Sequence, residues 1–370
     1  MRTVRGLTSR RSASSAPVQS RGDCSNESNR SSRADRLART RFADELPGFG
    51  VPVARVRELV EHWRDRFDGR ALEARLNSYP QLTTEIDGQL IHFLHVRSGK
   101  DGALPLILTH GWPGSIVEYL DVLDPLTEAG FDVVLPSVPG FGFSGPTRET
   151  GWNRYRIARA WTELMARCGY ERYGAVGNDG GAMISPEVGR LAPERVVGVH
   201  VTQIFSFPSG DPAEMADLTE EEAAGLAHLK WFWDTIGAFN VLLSQQPQTV
   251  AHALVDSPAG LAGWNGQLMV EQDVEFAVAN LAIYWFTRTA ASSMRLYRED
   301  SLAEPPSGQT TVPLGLAAFA NDFQSIRRFA ERDHVNIVSW HTYDEGSHYA
   351  AHDATKTLVN DVVTFFEGLR

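Results

Sequence analysis

Residues 173–182 read Tyr-Gly-Ala-Val-Gly-Asn-Asp-Gly-Gly-Ala, and the fold turns on this stretch. Tyr173–Val176 is a short apolar run of strand length. Small residues then surround one reactive side chain, Asp179, before a helical pattern begins. A strand, a sharp turn and a helix around G-x-Nu-x-G lift a nucleophile above the end of a sheet; here Asp holds the place often taken by Ser. Glycine belongs wherever such a turn leaves no room for a Cβ, and the N-terminus of the following helix favours negative charge on Asp179. By itself the stretch reads equally as an ordinary turn in which Asp179 caps a helix. The chain contains no G-x-S-x-G.

On both sides, short apolar runs alternate with helical stretches. Leu90–Val96 (opened by the Asp87-Gly88 turn), Leu104–Leu108, Phe131–Leu135 and Val196–Val201 read as strands. Ile116–Leu126 and Trp152–Cys168 read as helices. The alternation predicts an α/β fold with a mostly parallel sheet covered on both faces. Upstream, Val56, Leu59, Val60, Trp63 and Phe67 recur at spacings of three and four, so residues 37–84 are expected to form a helical region wrapping the core. After Val201 the rhythm breaks, and residues 205–310 read as an inserted helical cap. The sheet pattern resumes with Val312–Phe319 and Asn336–Tyr343. An amphipathic helix with Leu358, Val362, Phe365, Phe366 and Leu369 on one side follows. The core is therefore expected at 85–204 and 311–370.

Composition narrows the function. At 42% hydrophobic and 22% charged residues, the 370-residue chain has ordinary globular make-up. Its apolar runs are far too short to span a bilayer. The net charge of −11 argues against a nucleic-acid partner. Residues 1–42 hold ten Arg against Asp23, Glu27 and Asp35, a net +7, so the remainder carries −18. The Ser-rich residues 1–36 are expected to be a disordered basic tail. Cys24 and Cys168 form no disulfide framework, which fits a reducing, cytoplasmic setting. The histidines lack metal-ligand spacing and no Gly-rich nucleotide loop is present, so no metal and no cofactor are expected.

Ligands in such a sheet gather beyond the carboxyl ends of the strands, and three more clusters fall there. His110-Gly111-Trp112-Pro113-Gly114-Ser115 follows the Leu104–Leu108 strand. Gly and Pro hold such a loop rigid, as a preorganised oxyanion donor requires, and the backbone N–H groups of Trp112 and Gly180 are the expected donors. His110 reads better as a structural histidine than as a base; His110 and Pro113 are placed at the substrate pocket. Pro139–Ser144 is expected to shape that pocket. Asp322 lies beyond the Val312–Phe319 strand, and His348, in Gly346-Ser347-His348-Tyr349, lies beyond Asn336–Tyr343. Nucleophile, acid, histidine is the triad order of this arrangement; the acid fixes the imidazole tautomer and stabilises the imidazolium. Asp333, Asp344 and Glu345 compete with Asp322, which is better placed after a strand.

These residues resemble the microsomal-type epoxide hydrolases, which carry an N-terminal epoxide-hydrolase region before an α/β-hydrolase core. Matching stretches are Phe67–Asn77, Ile86–Ser98, Leu106–Ser115 (LILTHGWPGS), Pro247–Trp264 and Tyr284–Glu299. The resemblance implies an epoxide substrate and water, Asp179 as the nucleophile that forms an ester, His348 oriented by Asp322 as the base that hydrolyses it, and lid tyrosines as the proton donor. Tyr297 matches one of the usual tyrosine pair; the other position is Phe239, so Tyr297 acts alone or with a water. Gly180 and Gly69 stand where many relatives have Trp, and Tyr349 and His352 replace the usual Phe and Glu. The aromatic lid, with Trp231, Phe232, Trp233, Phe239 and Trp264, suggests an apolar or aryl substrate, with Phe239 and Trp233 as pocket walls. Two other readings stay open: a haloalkane dehalogenase-like hydrolase using the same Asp, and a non-catalytic binding protein on the same fold. A homodimer is compatible with the sequence.

Overall fold

The computed structural model of the chain describes residues 14–15, 35–44 and 48–370. Among them a nine-stranded sheet forms the centre. Its strands are β1 (Ser14–Ser15), β2 (Gln81–Ile86), β3 (Gln89–Val96), β4 (Leu104–Thr109), β5 (Phe131–Pro136), β6 (Tyr173–Gly177), β7 (Val196–Val201), β8 (Leu314–Ala318) and β9 (Ile337–Thr342). The order across the sheet is β1-β2-β3-β5-β4-β6-β7-β8-β9. β1 through β3 and the β3–β5 pair are antiparallel, and the rest is parallel. β4 and β6 are buried along their whole length, which is why both read as unbroken apolar runs rather than alternating ones. The expected disordered tail lies outside the described residues, except Ser14–Ser15, which pair with Thr83 and Leu82 at the sheet edge, and Asp35–Arg36, which begin a short helical turn.

The helices are α1 (Val53–Asp65), α2 (Gly69–Asn77), α3 (Leu123–Glu128), α4 (Arg154–Arg167), α5 (Gly180–Leu191), the cap helices α6 (Glu220–Thr235), α7 (Ala238–Gln245), α8 (Pro247–Leu254), α9 (Pro258–Gly266), α10 (Val274–Thr287), α11 (Ala290–Ser293) and α12 (Arg295–Ser301), and then α13 (Arg327–Asp333), α14 (Ala350–Asp353) and α15 (Thr355–Glu367). The last helix packs closely on the sheet because the strands lack side chains beneath it. A Cβ at Gly315 would collide with the Phe365 ring, one at Gly174 with Phe366, and one at Gly198 with Leu369, with Phe365 in tight contact beside it.

Three expectations need correction. The region 37–84 is not wholly helical: Gln81–Ile86 is a strand paired antiparallel with β3. Asp87 (φ 52) and Gly88 (φ 75) both take positive φ, the conformation of a two-residue hairpin turn, so the turn that opens β3 also closes β2 onto it. Ile116–Leu126 is not one helix but a 3-10 turn, Ile116–Tyr119, followed by α3. Nor does α1 simply wrap the core. Its buried face, Leu59, Val60 and Trp63, packs on the cap: Trp63 meets Trp285 of α10 edge-on at 6.0 Å, and Leu59 fills the space over Gly266 of α9. Arg55 donates to the carbonyls of Met269 (3.1 Å) and Gln272 (2.6 Å).

The tightest approach is at the end of β6. A Cβ at Gly177 would overlap the Gly181 carbonyl, and one at Gly181 would overlap the Thr109 carbonyl. Gly181→Ala is therefore expected to destabilise the fold by about 3 kcal/mol or more, whereas Gly180→Ala, whose Cβ would sit 3.5 Å from Gly111 Cα, should change stability by less than about 1 kcal/mol. Urea unfolding of the two variants checks this pair.

Candidate active site

Asp179 sits at the N-cap of α5 with φ 53 and ψ −121, a backbone region that costs a non-glycine residue about 1–3 kcal/mol. Hydrogen bonds hold the turn: Asn178 N–H donates to Thr109 O (3.1 Å), Gly181 N–H to Asn178 O (2.8 Å), and Asp179 N–H to the side-chain oxygen of Gln203 (2.9 Å). The strain aims the carboxylate at the loop after β4. There the Trp112 N–H donates to Asp179 Oδ1 at 2.8 Å, and the Gly180 N–H also bonds the carboxylate. A Cβ at Gly111 would collide with Asp179 Oδ1, so this glycine is set by the approach of the carboxylate. Burial pushes the Asp179 carboxyl up; the His348 charge and the two N–H groups oppose it.

His348 and Asp322 come from the loops after β9 and β8, which are laced together: Ala320 N–H donates to Glu345 O (3.2 Å) and Asn321 N–H to Gly346 O (3.3 Å). His348 Nδ1 lies 2.7 Å from Asp322 Oδ1. Its Nε2 lies 3.6 Å from Asp179 Oδ2. Burial works to lower the imidazole, but Asp322, Asp179 and Glu118 outweigh it and hold His348 at about 9. At neutral pH the resting imidazole is thus charged and lies between two carboxylates.

The loop after β4 is pinned from the cap. Tyr284 of α10 donates to the Gly114 carbonyl (2.6 Å), and Ser115 Oγ donates to Asn280 (2.6 Å). The Trp112–Pro113 peptide is cis, and Pro113 is buried in this loop. His110 does not face the pocket as expected. It is buried, its Nδ1 bonds Gly111 O (3.1 Å), its Nε2 accepts from Val138 N–H (3.2 Å), and burial lowers its pKa to about 4. It is a neutral strut under the loop.

Three aromatic rings pack together beside the loop whose Trp112 N–H holds the carboxylate. Trp112 and Phe239 stack at 5.6 Å, and Tyr297 meets both edge-on, at 5.8 and 5.9 Å. Burial first and then the Asp179 charge hold the Tyr297 phenol well above its ordinary value, so it keeps its proton. The segment around Tyr297 is clamped to the core: Gly151 N–H donates to Glu299 (2.8 Å) and Arg154 N–H to Asp300 (2.7 Å). Trp233 is not part of this group. It is two-fifths exposed and packs against Phe232, whose ring meets Phe239 at 6.3 Å. Neighbours on a helix point in different directions, and in α6 it is Phe232 that turns inward.

Two residues escaped the sequence reading. Gln203 bonds the Asp179 N–H and donates to both Asn178 Oδ1 (2.7 Å) and Asp322, tying the nucleophile turn to the acid. It lies two residues beyond β7, at the sheet end where the other clusters were found, so the same rule applied to every strand reaches it. Glu118 is buried beside Asn178, with Nδ2 of Asn178 3.4 Å from its Oε1. Nothing in its sequence setting marks it.

Comparison with known proteins gives two family models: "Epoxide hydrolase N terminus" over residues 24–119 and "alpha/beta hydrolase fold" over residues 105–254. A putative epoxide hydrolase of Stigmatella aurantiaca is 39% identical over 87% of this chain and 77% of its own. Juvenile hormone epoxide hydrolase 1 of Ctenocephalides felis is 30% identical over 85% and 77%. The solved epoxide hydrolase of Aspergillus niger superposes with a TM-score of 0.83 at 26% identity, covering 97% of this chain and 96% of that one.

The charge on His348 should be measurable. Its raised pKa means that its stabilising effect is complete below the ordinary value of 6.5 and fades as pH rises through about 9. NMR titration of the imidazole is expected to place the wild-type transition near 9 and to find it lower in Asp322→Asn; an unchanged midpoint in the variant would separate Asp322 from His348.

Proposed function

This chain belongs to the microsomal-type epoxide hydrolase family and is an enzyme that hydrolyses epoxides; we propose that it does so in two steps through a covalent ester on Asp179. The observation that carries this reading is the Asp179 carboxylate on its strained turn, with an N–H donor at 2.8 Å on one oxygen and the Asp322-backed imidazole at 3.6 Å from the other. A carboxylate needs no base to attack. Its product, an ester, can be hydrolysed at the enzyme's own carbonyl, whereas an ether on Ser could not.

In the first step an Asp179 oxygen bonds an epoxide carbon while the C–O ring bond breaks, and the ring oxygen takes the Tyr297 proton. Phe239 carries no hydroxyl, so Tyr297 is the protein's acid here. In the second step His348 takes a proton from water as the water oxygen bonds Cγ of Asp179. The tetrahedral oxyanion rests on the Trp112 and Gly180 N–H groups. Collapse breaks the bond from Cγ to the substrate oxygen, which receives the proton that His348 took from water, and the proton left on Asp179 passes to His348, restoring the resting imidazolium beside the carboxylate. Charge explains the order. Forming the ester cancels the Asp179 charge, one of those holding His348 at about 9, so the imidazole's pKa falls and its resting proton passes, by way of solvent, to the Tyr297 phenolate, leaving His348 neutral as the base for the second step. The Trp112 and Phe239 rings, backed by Phe232, favour an apolar or aryl epoxide.

Intact-protein mass spectrometry of His348→Gln with aryl and alkyl epoxides tests the mechanism. The expected result is an adduct of one whole epoxide on Asp179; no adduct, with wild type turning over the same epoxide, would discard the ester. Tyr297→Phe is expected to slow ring opening roughly a hundredfold or more, and Phe239→Tyr to leave it equal or faster. Stopped-flow kinetics on the three proteins checks both.

A further inference from the structure

Glu118 has no part in the steps above, yet it occupies a costly position. It lies in the 3-10 turn Ile116–Tyr119, just after the loop that carries Trp112, and is fully buried. Its Oε1 is the acceptor for Asn178 at 3.4 Å. Its Oε2 has no hydrogen-bond partner among the described residues. A carboxyl is not carried into an interior unpaired without cost, and this one has been given room: Oε2 stands where a Cβ of Gly114 would be. The ring of Tyr349 borders the same space, with its Cε1 3.4 Å from that Cβ position. The Tyr349 hydroxyl is also buried and unpaired. Tyr349 follows the catalytic histidine directly, and the two rings meet edge-on at 5.0 Å. Two polar groups with unspent hydrogen-bonding capacity therefore flank Gly114, beside the imidazole and next to the neighbour of the nucleophile, Asn178.

We propose that Glu118, with the Tyr349 hydroxyl beside it, is a positioning residue for the hydrolytic water of the second step, a role that rests on the ester mechanism above. The water donates one O–H to His348 Nε2 and the other to Glu118 Oε2, which points a lone pair at Cγ of Asp179. His348 takes the first proton as the new C–O bond forms. The second stays on the water oxygen, so Glu118 forms no bond and gains no proton overall. Ring opening uses no water and does not need Glu118.

That division is the test. Single turnovers with enzyme in excess over an aryl epoxide, quenched and read by intact mass for the ester and by chromatography for the diol, separate the two steps. Glu118→Gln keeps the shape but replaces one of the two acceptor oxygens with an NH2 that can only donate, so the side chain no longer accepts from both Asn178 and the water. It is expected to form the ester within about threefold of the wild-type rate and to hydrolyse it at least tenfold more slowly, so that the adduct accumulates with His348 intact. Tyr349→Phe, which keeps the buried ring, should slow hydrolysis by a smaller factor and leave ester formation alone. Wild-type hydrolysis in Glu118→Gln, or equal slowing of both steps, overturns the assignment. If Glu118→Gln does not fold, unaltered hydrolysis in Tyr349→Phe overturns it instead. His348→Gln run alongside distinguishes the failures: without an Asp179 adduct there, the ester mechanism and this inference fall together; with one, only the placement of the water is at stake.

Discussion

One carboxylate has to be held where three backbone segments nearly touch, and much of the molecule serves that approach. The end of β6, the start of α5 and the loop after β4 meet at Asp179, and Gly177, Gly181 and Gly111 are each glycine because the space a side chain would need belongs to a carbonyl or to the carboxylate itself. The backbone strain at Asp179 is opposed by bonds from both sides, Thr109 below and Gln203 beside. The parallel sheet supplies the frame: β4 and β6 lie next to each other in register, so their two following loops emerge side by side. Gly180 is different. A Cβ there would meet only ordinary contacts, 3.5 Å from Gly111 Cα and 3.7 Å from Leu296 Cδ2, so close approach does not require this glycine.

Electrostatics sets the resting state. Three carboxyl groups act on His348 and hold it charged, and that charge in turn moderates the effect of burial on Asp179. The arrangement is self-consistent only while Asp179 is ionised. Any event that neutralises it, chemical or by mutation, alters the basicity of the imidazole.

The parts of this design that repeat along the chain were legible in the sequence. Strand–loop clusters at Asp179, Trp112, Asp322 and His348 could be read because each follows a run of apolar residues and carries unusual composition. The cap could be read because the strand rhythm stops at Val201. What stayed hidden depends on three-dimensional neighbours. Gln81–Ile86 becomes a strand because β3 is there to receive it. Trp233 and Phe232 have the same chemistry in sequence, and only the rotation of α6 decides which turns inward. His110 has the residue type of a base, but two backbone partners consume both of its nitrogens. Glu118 sits among apolar residues just past the His110–Ser115 cluster, and its surroundings, Gly114 and Tyr349, are set only by the folded loop.

The cap is fastened at three places. α1 grips α9 and α10 through Trp63, Leu59 and Arg55; Asp300 and Glu299 tie α12 to the loop before α4; Arg328 and Arg332 hold the start of α6 and the turn before it through Glu222 and Glu214. With ties at three places, the cap can shift over the triad only by breaking buried packing, hydrogen bonds and ion pairs together, so a substitution at one of these distant fastenings is a substitution in the roof of the site.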